Sequence, residues 1–220
     1  MGIGRREFLR LSSLALAGIT VNPLQAVVTA KDVYVNKKLG ILFRKPAAWS
    51  FVNVKDFGKL KDAQILADEW EDMKDEVWKE LNDPICIATK YPHDLPQYKG
   101  VFSPTITLHI TPKKELEDMG YGSFEELMEM SGYGVSQLLK NFTVIKRYAP
   151  YYISGCKFYE SDAEYIFEHK EMVNPVKVEL KTLAAKHNGF YYNFNCHQSS
   201  AQNEIAVNEF EEFKKSIRLI

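Results

Sequence analysis

The residues with chemical potential in this 220-residue chain are scattered, and their spacing argues against most catalytic uses. Ser154-Gly155-Cys156-Lys157 matches the Ser-x-x-Lys pattern of acylating serine enzymes. In those enzymes, however, the serine opens a helix and is accompanied by Ser-Asp-Asn and Lys-Thr-Gly, neither of which occurs here. The five histidines, His93, His109, His169, His187 and His197, never stand at a metal-ligand spacing with a neighbouring carboxylate, so each reads as a surface or sheet residue. Gly132-Tyr133-Gly134 lacks the preceding strand and third glycine of a phosphate cradle. Glu69, Glu71, Asp72, Asp75, Glu76 and Glu80 form an acidic run that reads as the solvated side of a helix. No catalytic residue, cofactor-binding residue or metal ligand is therefore assigned, and no cofactor is expected. Two alternatives stay open: a hydrolase whose nucleophile is a free cysteine or Ser154, and a carrier of a small apolar ligand held between sheet and helices.

Cys86, Cys156 and Cys196 are odd in number, which precludes complete pairing within the chain. Composition adds little chemistry. Hydrophobic residues make up 45% and charged residues 26%, close to globular averages. The formal charge of -1 becomes -3 once residues 1–30, with three arginines against one glutamate, are set aside, which gives no support to a nucleic-acid partner.

Residues 1–30 resemble a twin-arginine export signal. Arg5 and Arg6 are followed by Phe8 and Leu9 and then by an apolar run from Leu11 to Val21, too short for a spanning helix. Cleavage is expected after Ala30, in Val28-Thr29-Ala30, with Leu24-Gln25-Ala26 as the rival site. The resemblance implies passage through the twin-arginine translocon and a periplasmic or secreted protein. No cysteine follows the apolar run to carry a lipid, so no stable membrane anchor is expected after cleavage.

The elements that must position everything else are strands. Residues 156–167, 176–186 and 190–197 alternate aromatic and β-branched residues with polar ones and form a meander. Asn188-Gly189 supplies the positive φ of a two-residue hairpin, which sets Leu183 against Phe194, Ala185 against Tyr192 and Lys181 against Cys196. In this register Cys156 is level with about residue 187. It then lies on the order of 22 Å from Cys196, at about 3.3 Å per residue and 4.8 Å per strand, beyond the roughly 7 Å limit for bridged Cα atoms. Pairing of Cys86 is left open.

Upstream, residues 32–52 read as two strands around a turn at Lys37 to Gly40, the second ended by Pro46, with Trp49 and Phe51 returning to the core. Ala63, Leu66, Trp70, Met73, Val77 and Leu81 recur at helical steps and predict one helix from about Leu60 to Leu81. Strands follow at PICIATKY and SPTITLHITP, the latter with Ile106, Leu108 and Ile110 inward. The loop between them, Pro92 to Ser103, is long for a structureless connection, and loops of that length are often functional. Its His93, Asp94, Tyr98 and Lys99 are the candidate partner contacts. Ser123 to Glu126 is a capping box that opens a helix carrying Phe124, Met128, Val135, Leu139 and Phe142 along one side.

The order of these pieces resembles the PsbP-like fold of the extrinsic photosystem II protein and of small exported bacterial proteins such as DcrB. The resemblance rests on Tyr34 to Trp49, with its Gly-Ile-Leu-Phe and Pro-x-x-Trp, and on the capped helix at Ser123. Ile153-Ser154-Gly155 before the meander and the closing helix and strand from Phe210 to Leu219 complete it. It implies an α+β chain: an α/β/α sandwich with a central, mostly antiparallel sheet and helices covering both faces, in one domain over residues 31–220. It also implies a non-catalytic binding or assembly protein that acts on an extracytoplasmic protein partner.

Overall fold

A computed structural model describes residues 27–30, 32–52, 63–80, 83–92, 95–98, 100–117 and 123–220. Its centre is the expected meander. Strand β10 (Cys156–His169) pairs antiparallel with β11 (Val176–His187), which pairs with β12 (Phe190–Ser199). The register is the one the turn chemistry dictates: His187 faces Phe190, Leu183 faces Phe194, and Asn188 and Gly189 take φ values of 45° and 79°. Strand β7 (Thr105–Pro112) adds to β12, β6 (Cys86–Thr89) to β7, and β4 (Ser50–Val52) to β6. On its other side β10 takes three partners in turn: β9 (Tyr151–Ile153), β8 (Lys140–Arg147) and β5 (Gln64–Ile65). Ser154 and Gly155, at φ 50° and 83°, close a second hairpin between β9 and β10. The Ser-x-x-Lys sequence is thus a turn that opens a strand, Cys156 and Lys157 pairing with Ile153 and Tyr152.

The opening strands do not extend this sheet. β1 (Val27–Ala30), β2 (Val33–Asn36) and β3 (Ile41–Arg44) form a separate four-stranded sheet, closed by the C-terminal β13 (Arg218–Leu219) on β3. This small sheet and helix α5 (Asn203–Ser216) cover one face of the main sheet together. α5 contributes Ala206, Phe210 and Phe213 at helical spacing, with Ile217 just beyond its end. Phe43, Phe194 and Phe213 meet edge to face at 5.4–5.9 Å and join the small sheet, the main sheet and the helix in one contact. Trp49 packs edge-on against Phe210 at 5.7 Å, and Phe51 packs against the same core.

After β7 and the short α3 (Lys113–Glu117), the opposite face of the main sheet meets α4 (Phe124–Leu138) and the residue after it. Phe124 and Leu127 pack on Ala184, while Val135 and Leu139 pack with Ala163, Tyr165, Val178 and Leu180. The Ser123 hydroxyl accepts the Glu126 amide at 3.0 Å, as the capping box requires. The central sheet is therefore antiparallel as expected, but the layering is not two helical covers. One side is shared between a helix and a second sheet, and among the described residues helical cover of the other side comes from the two ends of α4. Between those ends the second face is polar yet buried: Thr107, His109 and Thr111 on β7 and Asn195 on β12. β7 is a central strand closed on both sides.

Two helix expectations are corrected. The single helix over residues 60–81 is instead β5, a short α1 (Asp68–Glu71) and α2 (Lys74–Glu80); residues 60–62 and 81 lie outside the described residues. Gln64 and Ile65 pair with His169 and Glu168, and Lys170 donates its amide to the Ala63 carbonyl. Ala67 is held extended, with ψ 146° and its amide on the Leu138 carbonyl, so helical geometry starts only at Asp68. Lys74, buried against the expectation for a charged face, donates to the Gln64 carbonyl and fixes the junction. The capped helix also stops before Phe142. Leu139 is extended, at φ -96° and ψ 132°, and the chain continues as β8, whose pairing with β10 outweighs further helix.

Candidate partner surface

The β6–β7 connection is tied at its neck. The Thr89 and Ser103 hydroxyls lie 2.5 Å apart, the Tyr91 amide donates to Ser103 Oγ at 2.8 Å, and the Lys90 amide donates to the Pro104 carbonyl. Lys90 Nζ then reaches Glu209 on α5 at 2.8 Å. Within the loop, Pro96–Tyr98 form a 3₁₀ turn, where the sequence suggested no secondary structure. Tyr98 is half-buried, its ring 5.0 Å from that of Tyr91, so it braces the loop as well as offering an edge outward. His93, Asp94 and Lys99 lie outside the described residues. Arg5, Arg6, Phe8 and Leu9 do too, while Ala30 sits in β1 opposite Val33.

The loop leans on the β10–β11 turn. A Cβ at Gly100 would stand 3.3 Å from the Glu171 carbonyl oxygen, and Phe102 meets Phe167 edge-on at 5.3 Å. Leu95 and Val101 are each 38% exposed, and Val173 at the turn tip is 95% exposed. α1 and α2 flank the same turn, because β5 pairs with the last residues of β10. Asp68, Glu69, Asp72, Asp75 and Glu76 are exposed there, whereas Glu71 turns back to accept the Leu66 amide at 2.8 Å. The two candidate surfaces, loop and acidic segment, thus belong to one end of the molecule. Sequence reasoning could not join them, since the junction is a pairing between residues 64–65 and 168–169.

Away from this end lies a charge cluster that sequence reasoning missed. Glu160, buried on β10, receives Lys181 Nζ at 2.6 Å, Lys214 Nζ of α5 at 3.2 Å and the Tyr151 hydroxyl at 2.5 Å. Asp162 receives Lys181 at 2.8 Å and the Tyr148 hydroxyl at 2.6 Å. Burial by itself raises the Glu160 carboxyl, but the Lys181 and Tyr151 bonds outweigh it and hold the group below its ordinary value. Each carboxylate is answered by a cation, so this cluster seats α5 on the sheet. Its signal was the alternation Phe158, Glu160, Asp162, which places two acids in line with a core residue.

No family model matches the sequence, and no curated protein does. Among solved structures, the chain is similar to the solution structure of cyanobacterial PsbP (CyanoP) from Synechocystis sp. PCC 6803. The TM-score is 0.50 at 14% identity, over 88% of this chain and 95% of that one. It is also similar to LpqN, involved in cell envelope biogenesis of Mycobacterium tuberculosis, with TM-score 0.46 and 11% identity over 80% and 81% of the two chains. The chain has a PsbP-like fold.

Proposed function

We propose that this chain is an exported, non-catalytic accessory protein that holds another extracytoplasmic protein at the β10–β11 turn end. Residues 1–30 are its twin-arginine signal and the remainder one PsbP-like domain acting in the periplasm or outside the cell. The observation that carries the reading is the grouping of Leu95, Val101 and Val173, exposed on a loop and turn that brace each other and take no part in the main core. An exposed apolar group of this kind, rimmed by charge, is what a protein interface uses. The PsbP-like fold supports the accessory reading by analogy alone. Binding of a small apolar ligand under α4 is disfavoured, since such a ligand would meet buried Thr107, His109, Thr111 and Asn195.

Crosslinking in the source cell tests the reading. Replacing residues 94–99 with a short Gly-Ser linker should abolish the crosslink to the partner and leave the melting temperature nearly unchanged, because the Thr89–Ser103 neck lies outside the replaced segment. A crosslink that survives this change but is lost when Glu69, Asp72 and Glu76 become lysine moves the site to the acidic segment. A crosslink that survives both changes overturns the proposal.

A further inference from the structure

At the far end of the meander from that surface, the register puts a thiol against an imidazole. Extending the Phe158–Ala185 pairing by two residues sets Cys156 opposite His187, and Cys156 Sγ lies 3.4 Å from His187 Nδ1. Both residues are half-exposed. They sit between the two hairpin tips, Ser154-Gly155 and Asn188-Gly189, and a Cβ placed on either glycine meets nothing within 4 Å, so the tips themselves are uncrowded. The C-terminal segment frames the other side: Ser154 Oγ donates to the Ile217 carbonyl at 3.3 Å and Asn188 Nδ2 to the Ile220 carbonyl at 3.2 Å. His187 Nε2 is buried without a hydrogen-bond partner among the described residues, which leaves the Cys156 thiol as the ring's polar contact.

Cys86 and Cys196 are different. They are 7% and 1% exposed, whereas Cys156 packs only at the rim of the same core, and all three cysteines are free. Burial raises the Cys156 thiol above its ordinary value too, so this sulfur is a protonated thiol that needs a neighbouring base before it attacks. The imidazole stands where that base is required.

We infer that Cys156, with His187 as its base, is a thiol–disulfide exchange site that forms a mixed disulfide with a disulfide-bearing small molecule or protein. As Cys156 Sγ attacks one sulfur of the incoming disulfide, His187 Nδ1 takes the thiol proton. The new S–S bond forms while the old one breaks, and the leaving thiolate recovers the proton from the imidazolium. One disulfide is consumed and one is made, so no other oxidant is needed. The roughly 7 Å limit on bridged Cα atoms keeps Cys196 from resolving the adduct, because Cys196 pairs with Lys181, six residues along β11 from His187.

Oxidised glutathione is the probe, on the full folded chain, read by intact mass and peptide mapping. The expected result is one glutathione per chain, on Cys156, and none on C156S. H187Q should slow the reaction by about a hundredfold, the lower end for a positioned base, with the melting temperature kept and the rate partly restored by free imidazole. H187N serves the same purpose if H187Q folds poorly. An adduct on Cys86 or Cys196, no adduct, or an unchanged rate in both His187 variants overturns the inference.

Discussion

His197 makes the fold sensitive to acid. Its Nδ1 lies 3.1 Å from the Tyr165 hydroxyl on the second face of the sheet, and burial pushes the imidazole down from 6.5 to about 4. Burial keeps the tyrosine protonated, so its hydroxyl donates to a neutral ring. As pH falls through 6.5 the unfolded chain takes up a proton that the folded chain refuses until about 4. The contribution is therefore present above pH 6.5 and lost between 6.5 and 4, on the order of 3 kcal/mol in all at 1.36 per pH unit. Melting temperatures across that range should decline less in H197Q, whose amide carbonyl still accepts from Tyr165, than in the wild type, the remaining decline falling partly to His169, whose imidazole burial also lowers. An equal decline in both would place the acid response elsewhere. Glu160 acts later: its lowered carboxyl contributes stability above the ordinary carboxylate value, lost as pH falls toward the depressed one.

Among the elements, the small sheet depends on one close approach. Gly40 takes φ 62° at the β2–β3 turn, its carbonyl accepts the Ile220 amide at 2.8 Å, and a methyl group there would collide with the Ile220 carbonyl oxygen. Tyr192 fastens the same turn to the main sheet through its hydroxyl on the Leu39 carbonyl at 2.6 Å. Gly155 has the same sign of φ, at 83°, but open space around it. G155A should thus show only the backbone penalty of about 1–3 kcal/mol, and G40A should exceed it by the cost of displacing the C-terminus. Urea denaturation of the two variants measures the difference; equal losses would mean that β13 gives way at no cost. β8 shows a second device. Its pairing with β10 breaks register twice, and its far end carries Lys146 and Arg147, so bulges and charge guard an edge strand against further pairing.

For the whole molecule, the two sheets leave the N-terminal strand at an edge. β1 pairs only with β2, at Val27 with Val35 and Ala30 with Val33, among the described residues. Cleavage after Ala30, as proposed, would remove that strand, whereas a cut after Ala26 would retain it; N-terminal sequencing of the mature chain distinguishes the two. Export itself should need both guanidinium groups, which lysine does not reproduce. Arg5→Lys with Arg6→Lys should leave the precursor uncut inside the cell, and normal export of that double variant would remove the twin-arginine assignment. Among the described residues no helix is long and apolar enough to cross a membrane.

What the sequence determined by itself was local. Asn188-Gly189 fixed the hairpin register, so the pairing of Lys181 with Cys196 and the separation of Cys156 from Cys196 were legible before any coordinate, as was the Ser123 cap. The antiparallel meander and the closing helix and strand were legible for the same reason: period and turn chemistry act over a few residues. What tertiary structure alone decided were the long-range competitions. Residues 63–80 carry a sound helical period, yet Gln64 and Ile65 gave it up to pair with Glu168 and His169, some hundred residues away. Thr107, His109 and Asn195 alternate as solvent-facing residues do, yet lie buried on a face of the sheet that the local pattern reads as open. Among the first strands, β3 pairs with Arg218 and Leu219 at the other end of the chain, a choice between two sheets that no local pattern encodes. In each case the winning contact joins segments far apart in sequence, and its free energy outweighs a propensity that single-sequence reading can see.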